Sequence, residues 1–385
     1  MSRPIRVGHI AGEPTASRVP QLDLIARRPE IDLTVVYCAQ TIQRRLWELE
    51  IDHPAVFLDG PTLPTSWLLQ HDYPITPSVW GLLQRKRFDC LVIGGWSVFG
   101  AQLAIVWARS HRVPYVLFAE SHLGERRRAW VRGLKRAIVP LVVRPAAAHL
   151  VPGTLAREHE LAYGARRDRI WIFPNTVDVD AYIDAAARIR DRRAAIRERL
   201  GLAPDAFVVL GVNRLISVKG VDTLVDAVAA AAGATDVPLQ LLVVGDGPER
   251  AAIVRQAAAR GVNATFTGFL QGEALLEAYA AADVFALLSS RETWGIVVNE
   301  AMAFGLPLVL SEGVGAAVDL LLPDENGCIV PVGDAQAAGA AIARLASDAG
   351  LQARYGARSR ELIGPWGYGP SVDAYVTAVT AAVAA

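Results

Sequence analysis

The segment "SSRETWGIVVNEAMAFGLP" contains two glutamates eight positions apart, Glu292 in a polar stretch and Glu300 inside an apolar run. The pattern predicts a strand ending near Ser289, then a loop, and then a helix that stops at the final Gly-Leu-Pro. Because this helix would be apolar nearly all round, the carboxylate of Glu300 needs a donor to offset the cost of burial. That donor is either a ligand with two vicinal hydroxyls, such as a ribose, or an Arg or Lys elsewhere in the chain.

The loop between this strand and helix has the features of an anion site. Ligands of open α/β sheets bind beyond the carboxyl ends of the strands, where Glu292 and Trp294 are expected. Gly295 allows the backbone to approach a ligand closely. The amide groups of Ile296 and Val297 would face the same place from the helix N-terminus, where negative charge is favoured.

Two cations follow another predicted strand, in "FVVLGVNRLISVKG". Arg214 and Lys219 share one strand-to-helix loop and suit a diphosphate, although two solvated loop cations would give the same pattern. The turn "GDGPER" places Gly245 and Gly247 after the next strand. This turn is a weak match to a dinucleotide fingerprint, because Arg250 stands where the third glycine belongs.

The elements that must position these residues alternate along the whole chain. Apolar runs such as "IRVGHI" and "FVVLGVN" alternate with helical stretches such as "VDTLVDAVAAAA". This alternation predicts an α/β protein with parallel sheets covered on both faces, in two doubly wound domains with a cleft between them. We predict an N-terminal domain at 1–175 and a C-terminal domain at 176–364. A last helix at 365–385 has no assigned place, and packing back on the N-terminal domain is one option.

Composition narrows the class of protein further. The formal net charge is zero, but residues 1–175 contain 23 basic and 15 acidic residues, which leaves 16 and 24 for the rest of the chain. The net charge is therefore about +8 for residues 1–175 and about −8 for residues 176–385. Three widely spaced cysteines predict neither a disulfide framework nor a metal cluster. The chain shows neither a signal peptide nor an apolar span, so the expected location is the cytoplasm, with the inner face of the membrane as an alternative.

Taken together, these segments resemble the retaining, nucleotide-sugar-dependent glycosyltransferases of family 4, of bacterial type. The resemblance runs through nearly the whole chain and is strongest over 205–335. It implies the GT-B fold, in which two Rossmann-like domains face each other across a deep cleft. It also implies transfer of a hexosyl group from a UDP- or GDP-sugar to an acceptor hydroxyl, in polysaccharide or glycoconjugate biosynthesis. The segments that carry it are "NRLISVKG", "LLVVGDGPER", "ATFTGFL", "AAADVFALLSSRETWGIVVNEAMAFGLPLVLSEGVGAAVDLL" and "NGCIVPVGD".

The resemblance also implies a role for each candidate residue. Glu292 would contact the hydroxyls of the donor sugar, and Glu300 would hold the ribose. Arg214 and Lys219 would clamp the diphosphate. The amides of Gly295, Ile296 and Val297 would bind the distal phosphate, and the backbone of Phe269-Leu270 would bind the base. Trp294 and Gly247 would contact the donor, and His122 would contact the donor sugar. Gly12 would contact the phosphates or the acceptor.

Four positions depart from the family pattern. Gly12 is followed by Glu and Pro where relatives often carry a second glycine, which weakens the first-loop assignment. Asn213 replaces the glycine before Arg214, and asparagine tolerates a left-handed backbone. Trp294 stands where Phe is frequent, and Asn299 where an apolar residue is common.

The reaction is predicted to need no metal and no cofactor. Arg214, Lys219 and the helix amides would stabilise the charge that develops on the leaving diphosphate. The D-x-D triplet of Asp178 and Asp180 is interpreted as turn and cap residues. The resemblance favours front-face attack over a covalent carboxylate intermediate as the route to retention.

The acceptor is open among a sugar, a lipid-linked glycan and a small metabolite. The predicted basic helix at 125–140 either lies on an anionic membrane, which would suit a lipid-linked acceptor, or is an ordinary amphipathic helix. A nucleic-acid partner is not expected, since the basic cluster matches no known binding motif. Its basic arc comprises Arg128, Arg132, Lys135 and Arg136, and its apolar arc Trp130, Val131, Leu134 and Ile138.

Three other functions fit parts of the pattern. A nucleotide-sugar epimerase or hydrolase of the same fold would share the cleft, and a non-catalytic nucleotide-sugar-binding protein would share the polar groups. A nicotinamide dehydrogenase is disfavoured, because no glycine fingerprint follows "IRVGHI".

Overall fold

The computed structural model describes residues 3–41, 49–65, 72–120 and 129–385, without side chains for 129–135. The chain forms two compact units. Unit 1 comprises Met1–Asn175 and Tyr368–Ala385, and unit 2 comprises Thr176–Gly367. The chain therefore enters unit 2 once, at Thr176, and leaves it once, at Gly367.

Unit 1 is built on a parallel sheet of seven strands in the order β3-β2-β1-β6-β7-β8-β9, with a separate antiparallel pair, β4-β5. The strands are β1 Ile5–Ala11, β2 Ile31–Tyr37, β3 Ala55–Phe57, β4 Thr62–Leu63, β5 Tyr73–Pro74, β6 Cys90–Gly94, β7 Tyr115–Phe118, β8 Ala148–Val151 and β9 Ile170–Ile172. The helices are α1 Val19–Ala26, α2 Ser78–Lys86, α3 Phe99–His111, α4 Ala129–Val143, α5 Thr154–Ala162 and the C-terminal helix Tyr368–Val383.

The C-terminal helix packs into the core of unit 1. Its residues Val372, Tyr375 and Val379 join one apolar cluster with Val7 of β1 and Val116 of β7. The hydroxyl of Tyr375 also lies 3.1 Å from Nδ1 of the buried His9. The last helix, expected from residue 365, thus begins at Tyr368 and completes the face of the N-terminal sheet.

Unit 2 is built on a six-stranded parallel sheet in the order β12-β11-β10-β13-β14-β15. The strands are β10 Phe207–Val212, β11 Leu239–Val244, β12 Ala264–Gly268, β13 Val284–Leu287, β14 Leu308–Ser311 and β15 Gly327–Val330. The helices are α6 Val179–Ile189, α7 Arg193–Arg199, α8 Val221–Ala232, α9 Arg250–Ala259, α10 Glu273–Ala281, α11 Ile296–Ala303, α12 Ala317–Leu320, α13 Ala335–Ala346 and α14 Ala349–Ile363.

Both faces of this second sheet are buried. Along β10, Val208 and Leu210 pack into one apolar cluster, and Phe207 and Val209 pack into the cluster on the other face. Burial on both sides is why these strands appear as continuous apolar runs in the sequence. The predicted class, α/β with two doubly wound parallel sheets, is confirmed.

The order of strands reverses between β10 and β13 in unit 2. The strands β11 and β12 extend the sheet on one side of β10, and β13 pairs with β10 on the other side. Such a topological switch point separates the loops at the carboxyl ends of two neighbouring strands and leaves a crevice for a ligand. The loops that follow β10 and β13 contain Arg214, Lys219 and Glu292.

None of the helices within the described ranges combines the length and the apolar character that a bilayer crossing requires.

Candidate functional site

Lys219 and Glu292 meet at the switch point of unit 2. The ammonium group of Lys219 contacts a carboxylate oxygen of Glu292, and the two side chains are 20% and 19% exposed. The loops that carry them are joined through the backbone, because the Ser290 amide donates to the Val218 carbonyl at 2.9 Å. The structure thus brings together two residues 73 positions apart that were predicted to contact different parts of one ligand.

A short turn sets the position of Lys219. It is the last residue of the 3₁₀ turn Ser217–Lys219, and Gly220 follows with a φ of +63° before α8 begins. A Cβ at Gly220 would lie 2.2 Å from the carbonyl oxygen of Leu288. Glycine is required here both by the left-handed backbone and by the close approach of the β13 strand end.

The loop carrying Arg214 is supported by the glycine-rich turn after β11. The Asn213 amide donates to Val244, and the Leu215 amide donates to Asp246, each at 2.9 Å. A Cβ at Gly247 would lie 2.4 Å from the Leu215 carbonyl oxygen. Gly247 therefore shapes the Arg214 loop by allowing two backbones to touch.

Asn213 does not use the left-handed backbone that its tolerance suggested. Among the described residues, those other than glycine with positive φ are Arg87, Arg112 and Asp324. The turn at Asn213 is instead held by the bond from its amide to β11. Arg214 itself is exposed, which leaves its guanidinium accessible for a ligand.

Gly295 and the start of α11 lie directly beside the Lys219–Glu292 pair. Gly295 has a φ of +99°, and a Cβ there would lie 3.2 Å from Cγ of Glu292. No side chain caps this helix start. Because the first amides of a helix have no partner within it, those of Ile296 and Val297 remain suited to an anion.

A second glycine-rich loop, after β14, fixes the backbone of Glu292. The Glu292 amide donates to the Gly313 carbonyl at 2.8 Å, and the Gly315 amide donates to the Glu292 carbonyl at 2.9 Å. A Cβ at Gly315 would lie 2.1 Å from the Thr293 carbonyl oxygen. Gly313 and Gly315 had no predicted role, although the Gly-Val-Gly spacing in "SEGVGAAVDLL" was the available signal.

Two tyrosines hold the buried Glu300. The Tyr279 hydroxyl donates to Oε2 at 2.5 Å, and the Tyr182 hydroxyl donates to Oε1 at 3.2 Å. Burial raises the pKa of Glu300, and these two hydrogen bonds oppose the rise. Within the described residues two tyrosine hydroxyls, and no Arg or Lys, contact Glu300, which differs from the predicted alternative of a structural ion pair. Single tyrosines within apolar helices were the signal for these partners.

Trp294 is a buried residue. Its side chain is 4% exposed and belongs to the core of unit 2. Its indole N–H donates to Oδ1 of Asn299 at 3.0 Å. The side chain therefore lies within the core of unit 2, and the contact of Trp294 with the donor stays a prediction.

Phe269 and Leu270 follow β12 at the same edge of the sheet. Phe269 is 66% exposed, and the Gly245 amide donates to the carbonyl of the preceding Gly268 at 2.8 Å. This bond places the predicted base-binding segment beside the turn that supports the Arg214 loop.

The remaining predicted residues fall elsewhere. Gly12 follows β1 in unit 1, where its carbonyl accepts from the Ala39 amide at 3.0 Å. His122 lies outside the described residues. Asp178 accepts from the Ala181 amide at 3.1 Å and caps α6, which agrees with its interpretation as a cap residue.

The part of the basic helix α4 whose side chains are described runs from Arg136 to Val143. Ile138, assigned to the apolar arc, is 36% exposed, and Leu141 is 60% exposed. Val139 and Val143 are buried instead and anchor the helix to unit 1. The side chains from Arg128 to Lys135 lie outside the described set.

Comparison with known proteins agrees with this fold. The family model for glycosyl transferases group 1 matches residues 192–362, and that for the glycosyl transferase 4-like domain matches residues 22–176. Between them they match most of the chain, which belongs to the family 4 glycosyltransferases with the GT-B fold.

Curated relatives match over part of their length. A GDP-mannose-dependent alpha-mannosyltransferase of Mycobacterium tuberculosis is 36% identical over 54% of this chain and 47% of its own. A D-inositol 3-phosphate glycosyltransferase of Xylanimonas cellulosilytica is 33% identical over 56% of this chain and 52% of its own. The matched region thus spans about half the length of these relatives.

Solved structures match over nearly the whole chain. HepE of Anabaena, in complex with UDP and glucose, covers 98% of this chain and 99% of its own, with a TM-score of 0.72 and 19% identity. The lipopolysaccharide outer core galactosyltransferase WaaB covers 98% and 99%, with a TM-score of 0.70 and 16% identity. At these identities the likeness shows the fold.

Proposed function

We propose that the protein is a retaining glycosyltransferase that moves a hexosyl group from a UDP- or GDP-linked sugar to an acceptor hydroxyl. The contact between Lys219 and Glu292 at the switch point of unit 2 carries this proposal. It places a cation and a carboxylate side by side, next to the exposed Arg214 and the open start of α11. A nucleoside diphosphate sugar has a complementary order of groups, with an anionic diphosphate followed by a hydroxyl-rich ring.

The donor would replace the contact between Lys219 and Glu292. In the unliganded protein each charge neutralises the other, which lowers the cost of keeping both partly buried. With a donor present, Lys219 and Arg214 bind the diphosphate, and Glu292 accepts hydrogen bonds from the sugar. Glu300, already hydrogen-bonded to Tyr182 and Tyr279, holds the ribose, which lies between the diphosphate and the base.

The same groups stabilise the transition state. As the bond from the anomeric carbon to the diphosphate breaks, negative charge grows on the leaving phosphate. Lys219, Arg214 and the amides of Ile296 and Val297 are fixed in place by the surrounding backbone, so they stabilise this charge without reorganisation. The acceptor attacks from the face that the diphosphate leaves, and a phosphate oxygen takes its proton, which gives retention.

The charge on these groups makes a metal unnecessary in the proposed reaction. Asp178, the first residue of the D-x-D triplet, is engaged as a helix cap. We expect transfer to continue at its full rate in EDTA. Loss of activity in EDTA with recovery on adding Mn²⁺ would contradict metal independence.

Donor and acceptor classes can be tested in sequence. The relatives named above are a GDP-mannose-dependent alpha-mannosyltransferase and a D-inositol 3-phosphate glycosyltransferase, so a panel of UDP- and GDP-sugars is the first choice. A donor at 100 times its Kd stabilises the folded state by about 2.7 kcal/mol, which thermal shift detects readily. Product analysis with sugar, lipid-linked and small-metabolite acceptors then separates transfer from epimerisation or hydrolysis of the donor alone.

Either of two results would overturn the proposal. If no nucleotide sugar raises the Tm, or if a bound donor is never transferred to any acceptor class, the assignment fails. Glu292→Ala and Lys219→Ala should each lower turnover by orders of magnitude while the Tm stays near that of the wild type.

Contact with an anionic membrane is a further part of the proposal. Ile138 and Leu141 are exposed on α4 beside the exposed Arg136, a combination of apolar and basic groups that suits a lipid surface. Co-sedimentation with phosphatidylglycerol vesicles at physiological salt should be reduced by Leu141→Gln. Absence of binding to these vesicles would remove the membrane from the proposal.

A further inference from the structure

Trp294 and Asn299 form a buried hydrogen-bonded chain with Thr176. The Trp294 indole donates to Asn299 Oδ1 at 3.0 Å, and Asn299 Nδ2 donates to Thr176 Oγ1 at 3.2 Å. Asn299 and Thr176 are fully buried. Because an indole nitrogen only donates, the orientation of the Asn299 amide is fixed, with its oxygen toward Trp294 and its nitrogen toward Thr176.

The other side of Trp294 packs against Trp366. The two ring centroids lie 5.5 Å apart, with 37° between the ring planes. An offset, tilted pair of this kind is a favourable aromatic contact. The Trp294 side chain is therefore held at two points, by a hydrogen bond on one edge and by a ring contact.

Trp294 is linked to both ends of unit 2, to one through Asn299 and to the other through Trp366. Thr176 is the residue at which the chain enters the unit, and Trp366 directly precedes Gly367, at which the chain leaves it. Trp294 itself lies between Glu292 and Gly295 in the candidate site. One buried side chain thus joins the site loop to both segments that connect unit 2 to the rest of the chain.

We propose that Trp294 and Asn299 are a positioning pair that couples filling of the donor site to the conformation of the two connecting segments. The two departures from the family pattern explain each other. Trp294 stands where Phe is frequent, and its buried indole N–H needs an acceptor, which Asn299 supplies. A Phe with an apolar partner could fill the same space but could not reach the Thr176 hydroxyl. This inference rests on the proposed function, since it assumes that the Glu292 loop binds the donor.

Hydrogen exchange with and without nucleotide tests the coupling directly. In the wild type, saturating UDP or GDP, whichever binds, should slow exchange of amides at 174–178 and 363–368 by about threefold or more. Thr176→Val keeps the shape of the side chain and removes the acceptor. It should leave nucleotide affinity nearly unchanged, abolish the slowing at 174–178 and lower kcat about tenfold, within the usual range of coupling between sites.

A second variant removes the pair itself. Trp294→Phe/Asn299→Leu fills the space with apolar groups and should abolish the slowing at both segments. Gln240→Leu is the matched control, because Gln240 is a buried amide with bonds to Ala203 and Gly201 at the opposite edge of the sheet. It should lower the Tm without changing kcat or the slowing.

The outcomes separate the two proposals. If the nucleotide binds and both test variants keep the slowing and the wild-type kcat, the coupling is refuted while the donor site stands. If neither UDP nor GDP binds the wild-type protein, the proposed function fails and the coupling fails with it. If Gln240→Leu lowers kcat as much as the test variants do, Trp294 and Asn299 contribute only to the stability of unit 2, and the coupling is refuted.

Discussion

Replacing Lys219 with methionine tests the role of the switch-point cation. The substitution keeps the length of the side chain and removes its charge. Two unit charges about 4 Å apart interact by about 4 kcal/mol at an effective dielectric constant of 20. Because the Lys219 side chain is 20% exposed and Arg214 remains, we expect the variant to lose about 3 kcal/mol of transition-state stabilisation, or roughly 100-fold in kcat.

The same change also leaves the Glu292 carboxylate without its partner. Since that side chain remains 19% exposed, water can solvate it, and the loss of stability should be about 1 kcal/mol. A large fall in kcat with a small fall in Tm is therefore the expected pattern. A Tm loss as severe as the kcat loss would indicate a structural role for the ion pair.

The assay is transfer at saturating donor, with product separated from hydrolysed donor. Lys86→Met is the matched control, because Lys86 is an exposed lysine on α2 of unit 1 and its removal should leave kcat unchanged. A Lys219→Met variant that retains more than about a third of the wild-type kcat would refute the reasoning, since it would leave less than about 1 kcal/mol for the cation.

Two further predictions concern the groups around this pair. Burial raises the pKa of Glu300 above its ordinary 4.5, so the folded chain holds this proton more tightly than the unfolded chain, and its contribution to stability falls as pH rises through the raised pKa. The Tm of Glu300→Gln minus that of the wild type should therefore increase from pH about 4 to about 8; a constant difference would contradict a raised pKa. Gly247→Ala should displace the Leu215 backbone and weaken UDP or GDP binding about tenfold, because overpacking of this kind costs about 1–3 kcal/mol. Calorimetry would measure this loss of affinity. The control is Gly369→Ala, because a Cβ at Gly369 meets nothing within 4 Å, and this variant should bind the nucleotide as the wild type does. Equal affinity of the two variants would exclude a supporting role for Gly247.

Much of the fold could be predicted from the sequence. The long apolar runs became β1, β10, β11 and β13, and "VDTLVDAVAAAA" became α8 with the same bounds. Neither β8 nor β15 was predicted as a strand. A polar or small residue, His149 in β8 and Gly327 in β15, shortens the apolar run, and a proline follows each strand directly, so the local pattern is hard to separate from a loop. Strand order in the sheet depends on contacts between distant segments, which no local pattern records.

The candidate site, like the fold, could be predicted only in part from the sequence. The residue types of Arg214, Lys219, Glu292 and Glu300 already indicated a diphosphate and hydroxyl groups. Their proximity, the tyrosines at Glu300 and the buried place of Trp294 could not be predicted from spacing. Each of these depends on which side chains of separate elements face each other.

By itself, the sequence determined the chemical groups available to this protein and the elements that carry them, because charge, glycine content and apolar periodicity are local properties. Only the tertiary structure decided which groups meet. It placed Lys219 against Glu292 and gave Glu300 two hydroxyl donors where a cation was an alternative. It also made Trp294 a core residue that contacts Trp366 at one end of unit 2 and is linked through Asn299 to Thr176 at the other. The physical reason is that burial and hydrogen-bond satisfaction are settled by packing across the sheet, between residues as far apart as Thr176 and Asn299.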